Sequence, residues 1–363
     1  MICTKCVNDS SVSGIAFDDK GICSYCASYE VIKDALRDYT GLKKLWTERL
    51  EHYRGKGDYD ALIGLSGGKD STYVLYQLVH TYGLKVRAFT ADNGFLTDLA
   101  RERVDAIVKE LKVDHSYITP DRSDLGPLYL LSIKLTGAPC TACAYAIYSL
   151  TISLASQMNI PMAVHGRSRP QMLRFFSDKS NDPFIPFIHS ALQPLAGVNL
   201  RATYEKSMKK IESILPPHVM KSFMPFLVDF KEKEPVEFLP YFMYHPYDEV
   251  KMVQFLEQHM NWKRNQGHDI LTHFDCAAHA GAGYLYEIAE GRPHVMPELS
   301  TVIREGFITR EDALQRLQKE KVIDAPLESL DALAKYINTS PEELISIAKQ
   351  IREARRSANS HIA

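Results

Sequence analysis

The sequence lacks the features of a membrane protein or of a typical nucleic-acid-binding protein. No apolar run reaches the roughly 18 residues that a membrane-spanning helix needs. The opening residues, MICTKCVNDS, contain no charged segment followed by an apolar one, as a secretory signal would. The 43 Lys and Arg residues are balanced by 45 Asp and Glu residues. We therefore expect a cytoplasmic protein that acts on a small molecule, with no membrane or nucleic-acid partner.

Repeats and low-complexity tracts are also lacking. With 363 residues, of which 45% are hydrophobic and 24% charged, the chain is long enough for two or three globular domains with a large core. Four segments are predicted, and they divide the chain as follows: 1–35 a zinc ribbon, 36–200 an ATP-binding domain, 201–308 a region that completes the substrate site, and 309–363 a helical tail.

The seven cysteines fall into two sets, of which the first is N-terminal. Cys3, Cys6, Cys23 and Cys26 follow the pattern C-x2-C-x16-C-x2-C, in which two turns each present a thiolate pair to one tetrahedral zinc ion. The alternative, a pair of exposed disulfides, is disfavoured in a reducing compartment. A closed site with four ligands leaves the metal no open position, so the sequence predicts a structural zinc ribbon.

Apolar segments alternate with helical ones in the middle of the chain. We predict strands over residues 60–65, 85–91, 114–119 and 160–166, and a helix over 30–53 that connects the ribbon to them. Strands separated by helices indicate an α/β fold with a doubly wound parallel sheet, whose ligands bind at the carboxyl ends of the strands. Beyond residue 200 the pattern is mostly helical.

The stretch LSGGKDST follows the first predicted strand and precedes a helix. Gly67 and Gly68 allow a tight turn whose N–H groups face an anion, and the hydroxyls of Ser66 and Ser71 add donors. It is not a Walker A loop, because Asp70 stands where that motif requires Ser or Thr. The stretch therefore predicts a phosphate-binding loop of a different kind.

Residues 66–71 match the SGGxDS motif, and here the chain resembles the PP-loop ATP pyrophosphatases. The resemblance implies Mg²⁺ and cleavage of ATP to AMP and pyrophosphate, with adenylation of a substrate oxygen. It also implies that Ser66, Gly68, Lys69, Asp70 and Ser71 surround the pyrophosphate and its metal, with Lys69 and Asp70 in catalytic roles.

The same resemblance implies that Asp92 and Asn93, in TADNG after the second strand, lie near the nucleotide. A plain turn is the alternative interpretation of this stretch. After the fourth strand, Gly166 and Arg167 are predicted nucleotide contacts, because arginine binds phosphate or carboxylate bidentately. The other candidates there for contact with substrate or nucleotide are His165, Ser168, Arg169 and Gln171.

A narrower resemblance extends over nearly the whole chain. The stretches PCTACAYAIYSLTISLA, YDEVKMVQFLEQHMNW, HFDCAAH and IREGFITREDAL are similar to those of bacterial N-acetyl sugar amidotransferases. This resemblance implies a sugar or nucleotide-sugar substrate and ammonia from a partner glutaminase. The chain departs from that family after HFDCAAH, which keeps an iron–sulfur-dependent sulfur transferase open. A third hypothesis is a non-catalytic, nucleotide-binding partner of a glutaminase. A homo-oligomer is compatible with all three.

Cys140, Cys143 and Cys276 form the second cysteine set. The set resembles that of tRNA thiolases, which implies a 4Fe–4S cluster held by three thiolates with one iron open. The alternatives are a zinc site completed by His279 and a buried thiol pair with an unrelated core cysteine. His273, Asp275 and His279 flank Cys276 and are candidate acids or bases.

Overall fold

The computed structural model describes residues 1–12, 14–173, 236–263, 275–319 and 324–360. Its centre is one sheet of five parallel strands in the order β3-β2-β1-β4-β5. The strands are β1 Ala61–Gly64, β2 Val86–Ala91, β3 Asp114–Ile118, β4 Met162–His165 and β5 Glu237–Pro240. The fold is the doubly wound α/β class that the sequence predicts, and the four predicted strands are confirmed.

The central strand β1 lies between β2 and β4, so the strand order runs outward from β1 in both directions. Ala61 pairs with Val86 on one side and with Met162 on the other. The Asp60 carboxylate accepts hydrogen bonds from the N–H groups of Gly55 (2.7 Å) and Lys85 (2.8 Å), which fixes the start of β1 beside β2. A ligand crevice is expected where the strand order reverses, at the carboxyl ends of β1 and β4.

Helices cover the sheet and form most of the rest of the described chain. They are α1 Ser24–Arg37, α2 Tyr39–Tyr53, α3 Lys69–Tyr76, α4 Asp98–Leu111, α5 Arg122–Thr136, α6 Cys140–Gln157, α7 Arg169–Leu173, α8 Tyr241–Tyr244, α9 Glu249–His259, α10 His279–Glu290, α11 Met296–Glu305, α12 Arg310–Lys319, α13 Leu327–Ile337 and α14 Pro341–Ser360. Within the described residues, no helix is both long and apolar enough to cross a membrane.

The helix predicted over residues 30–53 is two helices in the structure. The break is at Asp38, whose carboxylate Oδ1 accepts a hydrogen bond from the N–H of Gly41 at 3.0 Å. An aspartate side chain that accepts from the first turn is a common helix start, so Asp38 ends α1 and begins α2. The apolar pattern continues through both helices, which is why it did not reveal the break.

The four N-terminal cysteines lie in a second, smaller core. Val295, Met296 and Leu299 of the region around α11 pack with the cysteine segment, and so does Ala313 of α12. The guanidinium of Arg310 donates to the carbonyls of Cys3 (3.2 Å) and Cys6 (3.1 Å). The segment therefore packs against helices from the C-terminal half of the chain, while the division of the chain into four segments stays a prediction.

Candidate active site

A cavity of about 360 Å³ opens where the strand order reverses. Its wall includes the loop after β1, the segment after β4, and residues that precede or begin α9 and α10. Among the residues that line it are Ser66, Lys69, Asn93, His165, Arg167 and Cys276. This volume falls in the range of small-molecule sites, and its position is the one expected for ligands of open α/β sheets.

The loop after β1 forms a turn that leads directly into α3. The hydroxyls of Ser66 and Ser71 lie 3.4 Å apart, and the Ser71 hydroxyl accepts from the Ser66 N–H at 3.3 Å. The Gly68 N–H points to the Ser66 hydroxyl at 3.4 Å. The helix then starts at Lys69, where first-turn N–H groups have no partners within a helix. Hydroxyls and N–H groups thus converge on one side of the turn, as a phosphate site requires.

Two glycines let this loop approach its neighbours closely. Gly67 has a φ of +77°, and a Cβ there would lie 3.0 Å from the Ala100 carbonyl oxygen. Gly166, after β4, has its ideal Cβ position only 2.9 Å from the Ser71 Cα and 3.0 Å from the Asp70 carbonyl oxygen. The segment after β4 therefore lies directly against the backbone of the phosphate-binding turn.

Charged groups of both signs meet at the start of α3. The Lys69 ammonium is 3.4 Å from the Asp70 carboxylate and 3.2 Å from that of Glu249, and the Tyr247 hydroxyl donates to Asp70 at 3.2 Å. Burial disfavours the charge on Lys69, but the two carboxylates outweigh it and raise the pKa of the ammonium. Burial raises the pKa of Asp70, against the opposing effect of Lys69. The site thus holds an ammonium that a phosphate could bind and two carboxylates that suit Mg²⁺.

Arg167, in the segment after β4, also lines the cavity. Its guanidinium donates to the Tyr148 hydroxyl at 3.2 Å and stacks over that ring at 5.9 Å. Although its own burial opposes the charge, the surroundings, Tyr148 first, raise the pKa of Arg167. A permanently charged guanidinium therefore faces the same space as Lys69, which favours an anionic ligand.

Asp92 and Asn93 have different roles in the structure. Asp92 accepts from the Gly94 N–H at 3.0 Å and forms an ion pair with Arg101, and it does not line the cavity. Asn93 lines the cavity. Its Oδ1 accepts from the Phe95 N–H at 3.0 Å, which identifies Nδ2 as the atom that faces two sulfur atoms.

Those sulfurs belong to the second cysteine set. The Asn93 Nδ2 lies 3.5 Å from the Sγ of Cys143 and 3.9 Å from that of Cys276. Burial, followed by the nearby thiols of Cys143 and Cys140, raises the pKa of Cys276. Burial likewise raises the pKa of Cys143, with Asn93 opposing it. Cys143 and Cys276 thus both lie beside Asn93, and Cys276 lines the cavity, whereas Cys140 is exposed at the start of α6.

Cys276 reaches this place through a short antiparallel contact. It bridges to Leu96, with the Ala277 N–H donating to the Phe95 carbonyl at 2.8 Å and the Thr97 N–H to the Asp275 carbonyl at 3.3 Å. Burial raises the pKa of Asp275, and a hydrogen bond with the Ser66 hydroxyl opposes this effect. Because the two side chains interact, the aspartate lies near the turn formed by residues 66–71. His279 begins α10, and His273 lies outside the described residues.

Arg169 has a structural role instead of a place at the cavity. Its side chain is fully buried, forms a 2.6 Å ion pair with Glu305 and donates to the Leu36 carbonyl. Tyr29 donates to the same carboxylate. The arginine therefore joins the segment after β4 to α1 and α11, whereas Ser168 and Gln171 line the cavity, and their contact with substrate or nucleotide stays a prediction.

The N-terminal cysteines fit one zinc ion. All four sulfurs are buried and lie within 4.8 Å of one another, with 3.9 Å between Cys3 and Cys26 and 3.7 Å between Cys6 and Cys23. Tetrahedral Zn–S bonds of about 2.3 Å place thiolates about 3.8 Å apart. The cysteines are free thiols, so the alternative of two disulfides is not what the structure has.

Several residues of the cavity wall were not assigned a role from the sequence. Tyr247, Glu249 and Trp262 belong to the quoted stretch YDEVKMVQFLEQHMNW, and Glu298 belongs to α11. The Trp262 indole N–H donates to the Gly67 carbonyl at 3.3 Å. The first three could have been connected with the loop only through that stretch, which gave no individual roles, and no motif of the sequence pointed to Glu298.

Comparisons with known proteins give distant likenesses. No family model matches the chain. The uncharacterized protein MJ1599 of Methanocaldococcus jannaschii is 22% identical over 324 residues, which cover 89% of this chain and 95% of that protein. Among solved structures, the U34-tRNA thiolase NcsA from Methanococcus maripaludis with its 4Fe–4S cluster is 16% identical, with a TM-score of 0.34, over 95% of this chain and 88% of that one.

Two synthetases are similar at the same level. NMN synthetase from Francisella tularensis is 13% identical with a TM-score of 0.37, over 84% of this chain and 93% of its own. The NH3-dependent NAD synthetase from Campylobacter jejuni is 15% identical with a TM-score of 0.30, over 52% of this chain and 93% of its own. Likenesses with TM-scores of 0.30 to 0.37 assign neither a family nor a function to this chain.

Proposed function

We propose that the protein is an ATP-dependent transferase of the PP-loop ATP pyrophosphatase type. It adenylates the carbonyl oxygen of a small metabolite, with an N-acetyl sugar or nucleotide-linked sugar as the preferred class, and replaces that oxygen by nitrogen. The observation that carries the proposal is the shared cavity: the turn around Ser66, the guanidinium of Arg167 and the thiol of Cys276 all line it. Anion binding and a reactive centre thus occupy one space.

The first half-reaction belongs to the turn and its charged neighbours. Lys69 exchanges its carboxylate partners for phosphate oxygens, while Asp70 and Glu249 would hold Mg²⁺, which neutralises phosphate charge when bound. The substrate oxygen attacks the α-phosphorus, the bond to the β-phosphate breaks, and pyrophosphate leaves. Arg167 stabilises the charge that develops on the phosphate oxygens, since a fixed cation in a cavity acts with little reorganisation.

In the second half-reaction the nitrogen of ammonia attacks the adenylated carbon. The carbon–oxygen bond breaks, AMP leaves with the oxygen, and nitrogen releases a proton to complete an amidine. Asp275 is the group we assign to accept that proton, because burial raises the pKa of its carboxyl above the ordinary value and it lies near the turn. We propose a partner glutaminase as the ammonia source and the cytoplasm as the location.

The second cysteine set would hold a 4Fe–4S cluster. Thiolates are the ligands that such clusters use, and a centre with three protein ligands offers one open iron for a substrate atom when bound. Cys143 and Cys276 both lie beside Asn93, and the thiol of Cys140 affects the pKa of Cys276, which supports a shared centre. Sulfur transfer is therefore the second candidate: it needs the same adenylation, and a sulfide in place of ammonia.

The test is a direct assay of the full-length protein, purified without oxygen. ATP labelled in the α or γ phosphate is incubated with Mg²⁺, candidate N-acetyl sugars, and either ammonia or sulfide. We expect AMP and pyrophosphate, formed only with the correct sugar. Exchange of oxygen for nitrogen lowers the product mass and exchange for sulfur raises it, so mass spectrometry separates the two candidates. Formation of ADP and phosphate instead would refute the ATP pyrophosphatase type.

A further inference from the structure

Asn93 belongs to the turn that follows β2, and hydrogen bonds hold it there at both ends. Its backbone carbonyl accepts from the Tyr129 hydroxyl at 3.0 Å, and its side-chain Oδ1 accepts from the Phe95 N–H at 3.0 Å. The Phe95 carbonyl in turn accepts from the Ala277 N–H at 2.8 Å, next to Cys276. The backbone and the side-chain oxygen of Asn93 are thus fixed, which defines the direction of its amide nitrogen.

That nitrogen lies beside two sulfur atoms from distant parts of the sequence. The Asn93 Nδ2 is 3.5 Å from the Sγ of Cys143, in the first turn of α6, and 3.9 Å from the Sγ of Cys276. A side-chain amide carries two N–H groups, so one nitrogen can donate to both sulfurs. A cysteine binds metal as its thiolate, and hydrogen bonds to a charged acceptor are about twice as strong as neutral ones. These two contacts therefore gain strength when the sulfurs hold a metal.

The neighbouring residue shows that the turn itself does not need an amide. Asp92 Oδ1 accepts from the Gly94 N–H at 3.0 Å, two residues on, as Asn93 Oδ1 does from the Phe95 N–H. A carboxylate can therefore close such a turn as well as an amide can. At position 93, however, a carboxylate would place a negative charge beside two thiolates. The sulfurs, and not the turn, account for the amide nitrogen of Asn93.

We propose that Asn93 is a positioning residue of the thiol centre, whose Nδ2 donates to the thiolates of Cys143 and Cys276 and holds them together. This inference rests on the proposed function, because it requires that the second cysteine set binds a 4Fe–4S cluster. Groups that hydrogen-bond to metal ligands orient them, and their loss typically lowers metal affinity about 10- to 100-fold. Hydrogen bonds to the sulfurs also favour the reduced, more negative state of a cluster, which raises its reduction potential.

The test compares two exchanges of similar size in the same turn of the full-length protein. Asn93→Asp keeps the oxygen that closes the turn but replaces the donor by a charged oxygen. Asp92→Asn makes the opposite exchange one residue away, at a side chain that pairs with Arg101. Each protein is reconstituted without oxygen with iron and sulfide. The rate of iron loss to a chelator is then measured, and the reduction potential is determined by redox titration.

We expect Asn93→Asp to lose iron about tenfold faster than the wild type and to have a lower reduction potential, because the donor is gone and a negative charge has replaced it. Asp92→Asn should match the wild type in both measurements. A melting temperature for each variant shows whether the fold is kept. A change in potential at an unchanged melting temperature identifies an effect on the cluster, which a purely structural role of Asn93 would not produce.

The outcomes separate the inference from the proposed function. If wild-type protein takes up no iron and sulfide, the cluster fails and the inference fails with it. If wild-type protein holds a cluster but does not convert ATP to AMP and pyrophosphate, the proposed reaction is refuted, and the comparison of variants decides the inference by itself. If wild-type protein holds a cluster and the two variants behave alike, the inference alone is overturned.

A spectroscopic measurement on the wild type covers the case in which Asn93→Asp does not fold. Asparagine is labelled with ¹⁵N in its side-chain amide only, the cluster is reduced, and electron–nuclear double resonance detects nuclei close to it. We expect a coupling from an amide nitrogen, together with amide protons that exchange with deuterium. A reduced cluster that shows neither signal would overturn the proposal.

Discussion

Gly166→Ala tests whether ATP binding depends on the close backbone contact between the segment after β4 and the turn formed by residues 66–71. The new Cβ would lie 2.9 Å from the Ser71 Cα, 3.0 Å from the Asp70 carbonyl oxygen and 3.1 Å from its carbonyl carbon. These are backbone atoms in the first turn of α3, which cannot move aside as the end of a flexible side chain could. One extra methyl group therefore has to push the segment after β4 away from the phosphate-binding turn.

The size of the effect follows from the cost of overpacking. Inserting a methyl group into a closely packed site typically costs about 1–3 kcal/mol. If that cost appears in the bound geometry, ATP affinity falls by roughly 5- to 150-fold, since 1.4 kcal/mol is tenfold. We expect most of this cost to appear in ATP affinity. A shift of the segment after β4 moves Arg167 away from Lys69, while the strand pairing of β4 stays intact.

The assay measures ATP affinity by calorimetry and the melting temperature of the same samples. Gly126→Ala is the matched control: it adds the same methyl group, whose closest neighbour is the Tyr336 carbonyl oxygen at an ordinary 3.5 Å, far along the chain from the turn. The control should leave ATP affinity unchanged. If Gly166→Ala matches the control in both affinity and melting temperature, the close contact does not have the role assigned to it.

Two further changes act away from the cavity. Removal of metal by a chelator should expose residues 1–30 to proteolysis, because this segment has few apolar residues and is held by the four N-terminal cysteines. ATP should still bind. Unchanged proteolysis after verified metal loss would count against the zinc ribbon. Glu305→Gln should lower the free energy of unfolding by about 3 kcal/mol, because it leaves the buried charge of Arg169 without its carboxylate partner. Urea denaturation measures this free energy. A loss below about 1 kcal/mol, as for exposed ion pairs, would contradict the prediction.

The sheet could be predicted because its signals are local. β1, β2 and β4 are short, mostly apolar runs between turn or helix signals, whereas β3, DHSYI, is mostly polar and was indicated by its place in the alternation of strands and helices; the structure confirms all four. The turn at residues 66–71 was likewise readable, because glycines and hydroxyls have a direct physical role there. The convergence of the four N-terminal cysteines could be predicted from their spacing alone, because two C-x2-C turns can meet around one ion.

Other features depend on the folded chain. β5 is only four residues long, ends in Pro240 and runs straight into the aromatic stretch YFMY, so no alternation distinguishes it from a buried helix. Arg169 looked like an arginine at a ligand site, but its partner Glu305 lies more than a hundred residues away and decides its role. Glu249 reaches Lys69 in the same way. Long-range ion pairs of this kind leave no local pattern.

The second cysteine set shows how one site can hold two separable chemistries. Cys143 lies in the first turn of α6. Cys276 is held near it by its antiparallel contact with Leu96. Asn93 lies between the two sulfurs, whereas the phosphate-binding turn has its own set of hydroxyls and charges. Nucleotide binding and the thiol centre should therefore respond to different substitutions.

Cys143→Ser combined with Cys276→Ser tests that separation. Serine is close to cysteine in size but is a poor iron ligand, so the double variant should lose bound iron and sulfide after anaerobic reconstitution, while ATP affinity stays within about threefold of wild type, or about 0.7 kcal/mol. Lys69→Ala is the reciprocal control, because it removes an ammonium at the turn and should weaken ATP binding while iron uptake continues. If the double variant keeps its iron, or loses ATP binding together with it, the thiols and the turn do not form two separable parts of one active site.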